Sequence, residues 1–314
     1  MEIIRGLERL NRIYPHTVLT IGNFDGVHLG HKKILFEVIK KAQLINGTSM
    51  AMTFEPHPMK VLAPERELRI LTTFEEKAKL IADSGLDVLL CIKFNREFAD
   101  LSPDEFVDDI LVKKIRVKEI VVGSNYVFGK HKKGTIELLR RRGRKYGFCV
   151  RVIRHARHKS DIVSSSKIRS LLSKGAAFDI SKFLGRAYSI EGTVIKGKGR
   201  GQAILNVPTA NITTPIEIAP KQGVYAVRIG FNNSVYEGVA NIGRNPTFGN
   251  AEVSYEVHLF NFSRDILGKK IRIYFIKRIR DERRFPDPYS LEKQIRSDIE
   301  TAREILKTKH PKLI

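Results

Sequence analysis

The pattern of apolar and polar positions changes rhythm once along the chain, after about Arg186. Before that point, short apolar runs alternate with longer stretches of helical spacing. Val18–Ile21, Ser49–Phe54, Asp87–Phe94, Glu119–Val122 and Phe148–Ile153 read as strands. Between them, Lys32–Ile45, Phe74–Asp83, Pro103–Lys113 and Ile136–Tyr146 carry apolar residues at helical spacing. Ser102-Pro103-Asp104-Glu105 marks a helix start. Ser102 caps, Pro103 suits the first turn, and Glu105 completes a capping box. Strands alternating with helices predict a doubly wound α/β domain with a parallel sheet. After Arg186, Tyr188–Lys196, Val224–Phe231, Val235–Asn241, Val253–Phe260 and Lys270–Ile279 read as strands separated by Gly, Asn and Pro signals. That spacing predicts an antiparallel β-barrel. One amphipathic helix, about Leu291–Leu306, closes the chain. The expected division is therefore an α/β domain over residues 1–185 and a barrel domain over residues 186–314.

Composition narrows the function classes. The 314 residues are 42% hydrophobic, which excludes a disordered chain. The 56 Lys and Arg against 34 Asp and Glu leave a net charge of +22, which points to anionic partners. The excess is shared: 34 − 21 = +13 in residues 1–185 and 22 − 13 = +9 in the remainder. The densest run, Arg140-Arg141-Arg142-Gly143-Arg144-Lys145, reads as the solvated end of a helix, where cations complement the dipole. Cys91 and Cys149 form no CxxC pair, so no disulfide framework is expected. Met1–Leu10 has no apolar core of a signal sequence, and no run approaches the ~18 apolar residues of a membrane span. The expectation is a cytoplasmic protein without a membrane partner.

Candidate chemistry is concentrated in a few segments. In Gly22-Asn23-Phe24-Asp25-Gly26-Val27-His28-Leu29-Gly30-His31, a strand ends in a Gly-rich turn and a helix follows. A helix N-terminus suits phosphate, and His28 and His31 are spaced to share its first turn. Imidazoles there can hydrogen-bond a phosphoryl oxygen and stabilise developing charge. A second segment, Val163-Ser164-Ser165-Ser166-Lys167-Ile168-Arg169, puts three hydroxyls and two cations at another helix start. Read alone, it is equally a capped surface helix or a polyphosphate clamp. In the barrel half, Gly197, Gly199 and Gly201 follow a strand at alternate positions, and Pro208-Thr209-Ala210-Asn211 comes next. Such a loop can cradle phosphates, but its spacing is neither a P-loop nor a Rossmann turn.

The HxGH turn and the SSSxIR segment together resemble the nucleotidylyltransferase superfamily. The longer Gly22–His31 motif, with Thr53-Phe54-Glu55-Pro56-His57-Pro58 and Asn125-Tyr126-Val127-Phe128-Gly129, is similar to the adenylyltransferase module of bacterial bifunctional riboflavin kinase/FAD synthetases. Pro208–Asn211, Gly238–Thr247 and Tyr255–Leu259 resemble the riboflavin kinase module of the same family. Departures are local. Lys167 replaces a common Arg, Asn206 stands where Gly is usual, and Leu267 stands where Tyr is common.

The resemblance implies two reactions: riboflavin with ATP gives FMN, and FMN with a second ATP gives FAD and pyrophosphate. For the adenylyltransferase it implies an ATP site at Gly22, Asn23, Phe24, His28, His31, Ser164, Ser165, Ser166, Lys167 and Arg169. Asn125 would meet the flavin, whose ring would lie against apolar residues between Phe94 and Leu101. For the kinase it implies nucleotide contacts from Gly197, Gly199, Gly201, Thr209 and Asn211. Mg²⁺ would be held through Thr209 and Asn211, hard oxygen donors of the kind it prefers. Glu256, aimed inward from a barrel strand, would act as the base, and Arg280, Arg283 and Phe285 would contact flavin. The partners implied are small molecules, with no nucleic acid despite the charge. A competing class is an RNA-binding or regulatory protein on these folds, for which the chain carries no RNP-type aromatic motif and no zinc knuckle.

Overall fold

The structure is a computed structural model, described here for residues 1–196, 209–245, 252–308 and 311–313. It divides into two compact units, Met1–Ser164 and Ser165–Ile314.

The first unit is built on a parallel sheet of six strands: β1 (Glu2–Arg5), β2 (Val18–Ile21), β3 (Ser49–Glu55), β4 (Val88–Lys93), β5 (Glu119–Gly123) and β6 (Cys149–Ile153). Their spatial order is β1-β4-β3-β2-β5-β6. The helices are α1 (Leu29–Leu44), α2 (Pro58–Leu62), α3 (Phe74–Ala82), α4 (Arg96–Ala99), α5 (Pro103–Glu105) and α6 (Ile136–Tyr146). Every residue of β2 is buried, as expected for a central parallel strand covered on both faces. One face carries Leu19, Met50, Leu90 and Ile120, packed with Phe106, Ile110, Leu111 and Leu139. The predicted capping box is present: Glu105 N–H donates to Ser102 Oγ, and Ser102 N–H donates to Glu105 Oε2. The predicted helix Pro103–Lys113 differs in kind, because Phe106–Lys114 continues as a π-helix.

Chain order reverses between β2 and β5. From β2 the chain steps through β3 to β4, whereas β5 and β6 lie on the opposite side. Ligands of open α/β sheets bind at such a switch point, outside the carboxyl ends of the strands. The segments there are the turn after β2, which holds Asn23, and the turn after β5, which holds Asn125.

In the second unit, α7 (Ser165–Ser173) and α8 (Ala177–Leu184) precede a closed antiparallel barrel. Two short strands, β7 (Arg157–His158) and β8 (Asp161–Ile162), close the first unit as a hairpin. The barrel strands are β9 (Tyr188–Ile195), β10 (Ala210–Thr213), β11 (Gly223–Phe231), β12 (Ser234–Asn245), β13 (Glu252–Leu259) and β14 (Lys270–Arg280). They close in the order β10-β13-β12-β11-β14-β9. Tyr188, Tyr225 and Phe275 pack together in the buried set. The last helix, α9 (Pro288–Lys307), lays Ala302 and Leu306 against Ala226, Tyr274 and Ile276 on the outside. The fold class is therefore a doubly wound parallel α/β domain, then an antiparallel barrel with a C-terminal helix.

Candidate active sites

The turn after β2 is held from several sides. Phe24 and Val27 both take positive φ, at 50° and 37°, and both are buried. L-residues adopt this region only when the surroundings fix them. Asp25 supplies much of that fixing. Its Oδ1 accepts from Leu71 N–H at 2.9 Å and from Thr72 N–H at 3.3 Å, and Gly26 N–H donates to Thr72 Oγ1. Gly26 has φ 80°, and a Cβ there would come within 2.8 Å of Leu71. On the other side, the Asn23 carbonyl accepts from Thr53 Oγ1 at 3.2 Å. The Asn23 amide meets the His57 ring at 3.1 Å, and His57 itself caps α2 through Met59 N–H.

The geometry gives the spelling HxGH a local reason. His28 is the N-cap of α1, and its Nδ1 accepts from His31 N–H at 3.2 Å. The ring thereby folds back over residue 30, where a Cβ would sit 3.0 Å from His28 Cε1. A glycine is what fits. Because Nδ1 accepts, the imidazole proton sits on Nε2, which becomes the donor. His31 stacks on His28 with ring centroids 3.6 Å apart, and its Nδ1 is buried without a hydrogen-bond partner among the described residues. Burial first, then the neighbouring His28 and Lys77, hold His31 well below the ordinary histidine range. At a helix N-terminus, the His28 Nε2–H and the neighbouring backbone N–H groups are the kind of donors that suit an anion.

The remaining adenylyltransferase candidates divide between the units. Gly22, Asn23, Phe24, His28 and His31 share this turn. Asn125 lies exposed just past β5, at the switch point. Ser164 ends the first unit, and Ser165, Ser166, Lys167 and Arg169 open α7 in the second, with Ile168 fully buried between them. Between Phe94 and Leu101, the rings of Phe94 and Phe98 pack with Phe54, and Phe98 is joined to Phe106. Sequence reasoning missed Lys77. The signal was available, since Phe74, Lys77, Ala78 and Ile81 define one buried stripe of α3 with a cation in it.

In the barrel, strand register builds the second site. Glu256 on β13 lies opposite Asn211 on β10 and opposite Asn241 on β12. Registered partners share a sheet face, so the three form one row. The expectation that Glu256 aims inward is corrected here. Tyr255 and Val257 are the buried neighbours, and alternation puts half-buried Glu256 on the outer face. Thr209 is exposed and directly precedes β10. Gly197, Gly199 and Gly201 lie outside the described residues.

After β14 the chain forms a clamp. Arg280 makes a bidentate pair with buried Asp298 of α9, with Nη2 to Oδ2 at 2.7 Å and Nε to Oδ1 at 2.9 Å. Arg280 and Arg283 both lie over the Phe285 ring, at 5.7 and 5.1 Å from its centroid. The three predicted flavin contacts are thus clustered, with the Arg280 guanidinium engaged by Asp298. Asp281, held by Arg278 and Lys221, has its carboxyl pulled down to about 2. The Glu282 carboxylate lies over Gly243, where a Cβ would meet it at 2.7 Å and Ser254 at 3.2 Å. Gly243 and Ser254 are a register pair, on the same sheet face as Asn241 and Glu256.

The basic run on α6 has a partly structural explanation. Arg142 Nε donates to Asp104 at 3.0 Å, and Asp108 lies 3.7 Å from the same guanidinium. Among the described residues, no helix is long and apolar enough to cross a membrane.

Comparison with known proteins covers both units. The family model for FAD synthetase matches residues 11–167, and that for riboflavin kinase matches residues 184–306. A bifunctional riboflavin kinase/FMN adenylyltransferase of Buchnera aphidicola subsp. Acyrthosiphon pisum is 39% identical over 95% of this chain and 96% of that protein. The Escherichia coli K12 protein of the same description is 37% identical over 97% of each chain. That of Bacillus subtilis is 38% identical over 91% of each. A crystal structure described as a macrolide-efflux protein from Streptococcus pneumoniae superposes with a TM-score of 0.89 at 28% identity, covering 96% of this chain and 99% of that one. With both family models matched in order and relatives aligned end to end, the chain belongs to the bifunctional riboflavin kinase/FMN adenylyltransferase family.

Proposed function

We propose that this chain phosphorylates riboflavin to FMN and then adenylylates FMN to FAD, with residues 186–314 carrying the kinase and residues 1–185 the adenylyltransferase. Membership of a family whose curated members carry both activities in one chain supports the reading. The substrates are riboflavin, FMN and ATP, and the reactions take place in the cytoplasm.

In the kinase reaction, the riboflavin 5′-hydroxyl attacks the γ-phosphorus of ATP, and the bond to the ADP oxygen breaks. Glu256 takes the hydroxyl proton. The oxygen donors beside it fit a hard cation: Thr209 and Asn211 would hold Mg²⁺, which when bound offsets the phosphate charge. Arg283 and Phe285 meet the flavin, and Arg280 contributes from its Asp298 anchor by setting the direction of that segment. Gly197, Gly199 and Gly201 serve the nucleotide.

In the adenylyl transfer, an FMN phosphate oxygen attacks the α-phosphorus of ATP, and pyrophosphate leaves. The nucleophile is already anionic, so no general base is needed. Catalysis rests on positioning and on donors aimed at developing charge. His28 and His31 stabilise the α- and β-phosphates. Gly22, Asn23 and Phe24 shape the nucleotide site, Ser164, Ser165, Ser166, Lys167 and Arg169 hold the leaving pyrophosphate, and Asn125 orients the flavin. One incubation with riboflavin, ATP and Mg²⁺, followed by chromatographic separation of flavins, tests the whole reading. FMN followed by FAD is expected. A chain that turns over neither riboflavin nor FMN overturns it.

A further inference from the structure

Lys77 is the one lysine among the described buried residues, and it lies directly behind the phosphate turn. Its Nζ is 3.4 Å from the Asn23 carbonyl and 3.9 Å from Glu55 Oε2. The Phe74 ring centroid lies 5.6 Å from the same Nζ. Burying an ammonium with one long hydrogen bond and a distant carboxylate is costly: burial pulls the Lys77 pKa down, and Glu55 works against that. The same α3 segment also pins the other half of the turn, since Leu71 and Thr72 hold Asp25. The turn is thus gripped twice from one segment, at residues 23 and 25.

We propose that Lys77 is a positioning residue for adenylyl transfer: it holds the Asn23 carbonyl and supplies a buried positive charge at the base of the turn that leads to His28 and His31. The inference rests on the adenylyl-transfer reading above. The charged and titratable groups around Lys77 are Glu55 on β3, Cys91 on β4, Asp25 in the turn and His31 on α1. Two consequences follow from this arrangement. A charge fixed in place before substrate arrives raises the potential at the anion site without reorganisation. The same charge also opposes protonation of His31, keeping that ring neutral when phosphate arrives.

The test replaces Lys77 by Met and by Arg in the full chain. FMN adenylylation and riboflavin phosphorylation are measured separately, and His31 is titrated by NMR. Lys77→Met is expected to slow adenylylation by about tenfold to a hundredfold, the scale of a small misplacement of reacting groups. Kinase turnover should stay at the wild-type rate. The His31 titration should move upward in Lys77→Met and stay low in Lys77→Arg. A purely structural lysine would slow the reaction without moving His31 and without rescue by Arg. An unchanged His31 titration in a folded Lys77→Met protein overturns the proposal, as does undiminished FAD formation. Should Lys77→Met not fold, Lys77→Arg decides: FMN adenylylation near the wild-type rate supports the proposal, and a loss of about tenfold or more in the folded variant overturns it. If the wild-type chain forms no FAD from FMN, the functional reading fails, which is a separate outcome.

Discussion

The turn after β2 and the row on β13, the two candidate sites proposed above, are opposite constructions. The first is a short stretch of strained, buried backbone, whose Asp25, Gly26 and Asn23 are held by Leu71, Thr72, Thr53 and Lys77 from neighbouring segments. The second needs no strained backbone. Strand register alone brings Asn211, Glu256 and Asn241 into line on an accessible face. Under the proposed function, the difference tracks the nucleophile. An FMN phosphate arrives charged and needs only an electropositive, rigid receptacle. A ribityl hydroxyl must lose a proton, and a carboxylate reachable from solvent can take it and release it.

Four substitutions sharpen this contrast. Glu256→Ala should lower riboflavin phosphorylation by roughly a hundredfold to ten-thousandfold, the range of general-base removal, and leave FMN-to-FAD conversion intact. Separate assays of the two steps read this, and near-wild-type phosphorylation would place the base elsewhere. The paired change His28→Ala with His31→Ala should do the reverse, cutting FAD formation by about a hundredfold to a thousandfold. Equal loss of both activities would erase the distinction. Asp298→Ala leaves Arg280 without its buried partner and should cost about 3 kcal/mol of barrel stability. Denaturant unfolding measures that cost, and a change below ~1 kcal/mol would reduce the pair to an ordinary surface contact.

The smallest effect concerns pH. His31 titrates lower in the folded chain than its ordinary 6.5, so the unfolded state binds the extra proton first. Stability of the α1 region is complete above that value and declines as pH falls through 6.5 toward the lower folded pKa. One proton sets the limit at ~1.4 kcal/mol per pH unit. Hydrogen exchange along α1 at several pH values should show the decline in the wild type and a flatter response in His31→Asn.

Much of this was legible in the sequence. Val18–Ile21 and Ile136–Tyr146 coincide with their predicted limits, because uninterrupted apolar runs and a Thr135 cap leave little choice. β1 was not legible: Glu2–Arg5 sets two adjacent isoleucines between charged residues, with no alternation, and its pairing with β4 is a tertiary fact. β10 alternates apolar and polar residues, but at four residues the run is too short to announce a strand. The motif residues of the first site were readable as a string. What holds that string, Asp25 on Leu71 and Lys77 on Asn23, depends on partners some 46 to 54 positions away. The direction of Glu256 was misread because a carboxylate in an apolar strand invites an inward reading, whereas alternation with Tyr255 and Val257 decides it.

The clamp after β14 has a consequence for ligand capture. Residues 281–287 begin at Arg280, tied to Asp298, and end at Asp287, which caps α9 through Ser290. Both tethers end on the same helix, so the segment behaves as a short closed loop rather than a free arm. Closing such a loop over a flavin removes little chain entropy, because most of it was surrendered when the barrel folded. If this segment meets the flavin as proposed, it is in this sense a hinged latch, already engaged at both ends before a ligand arrives.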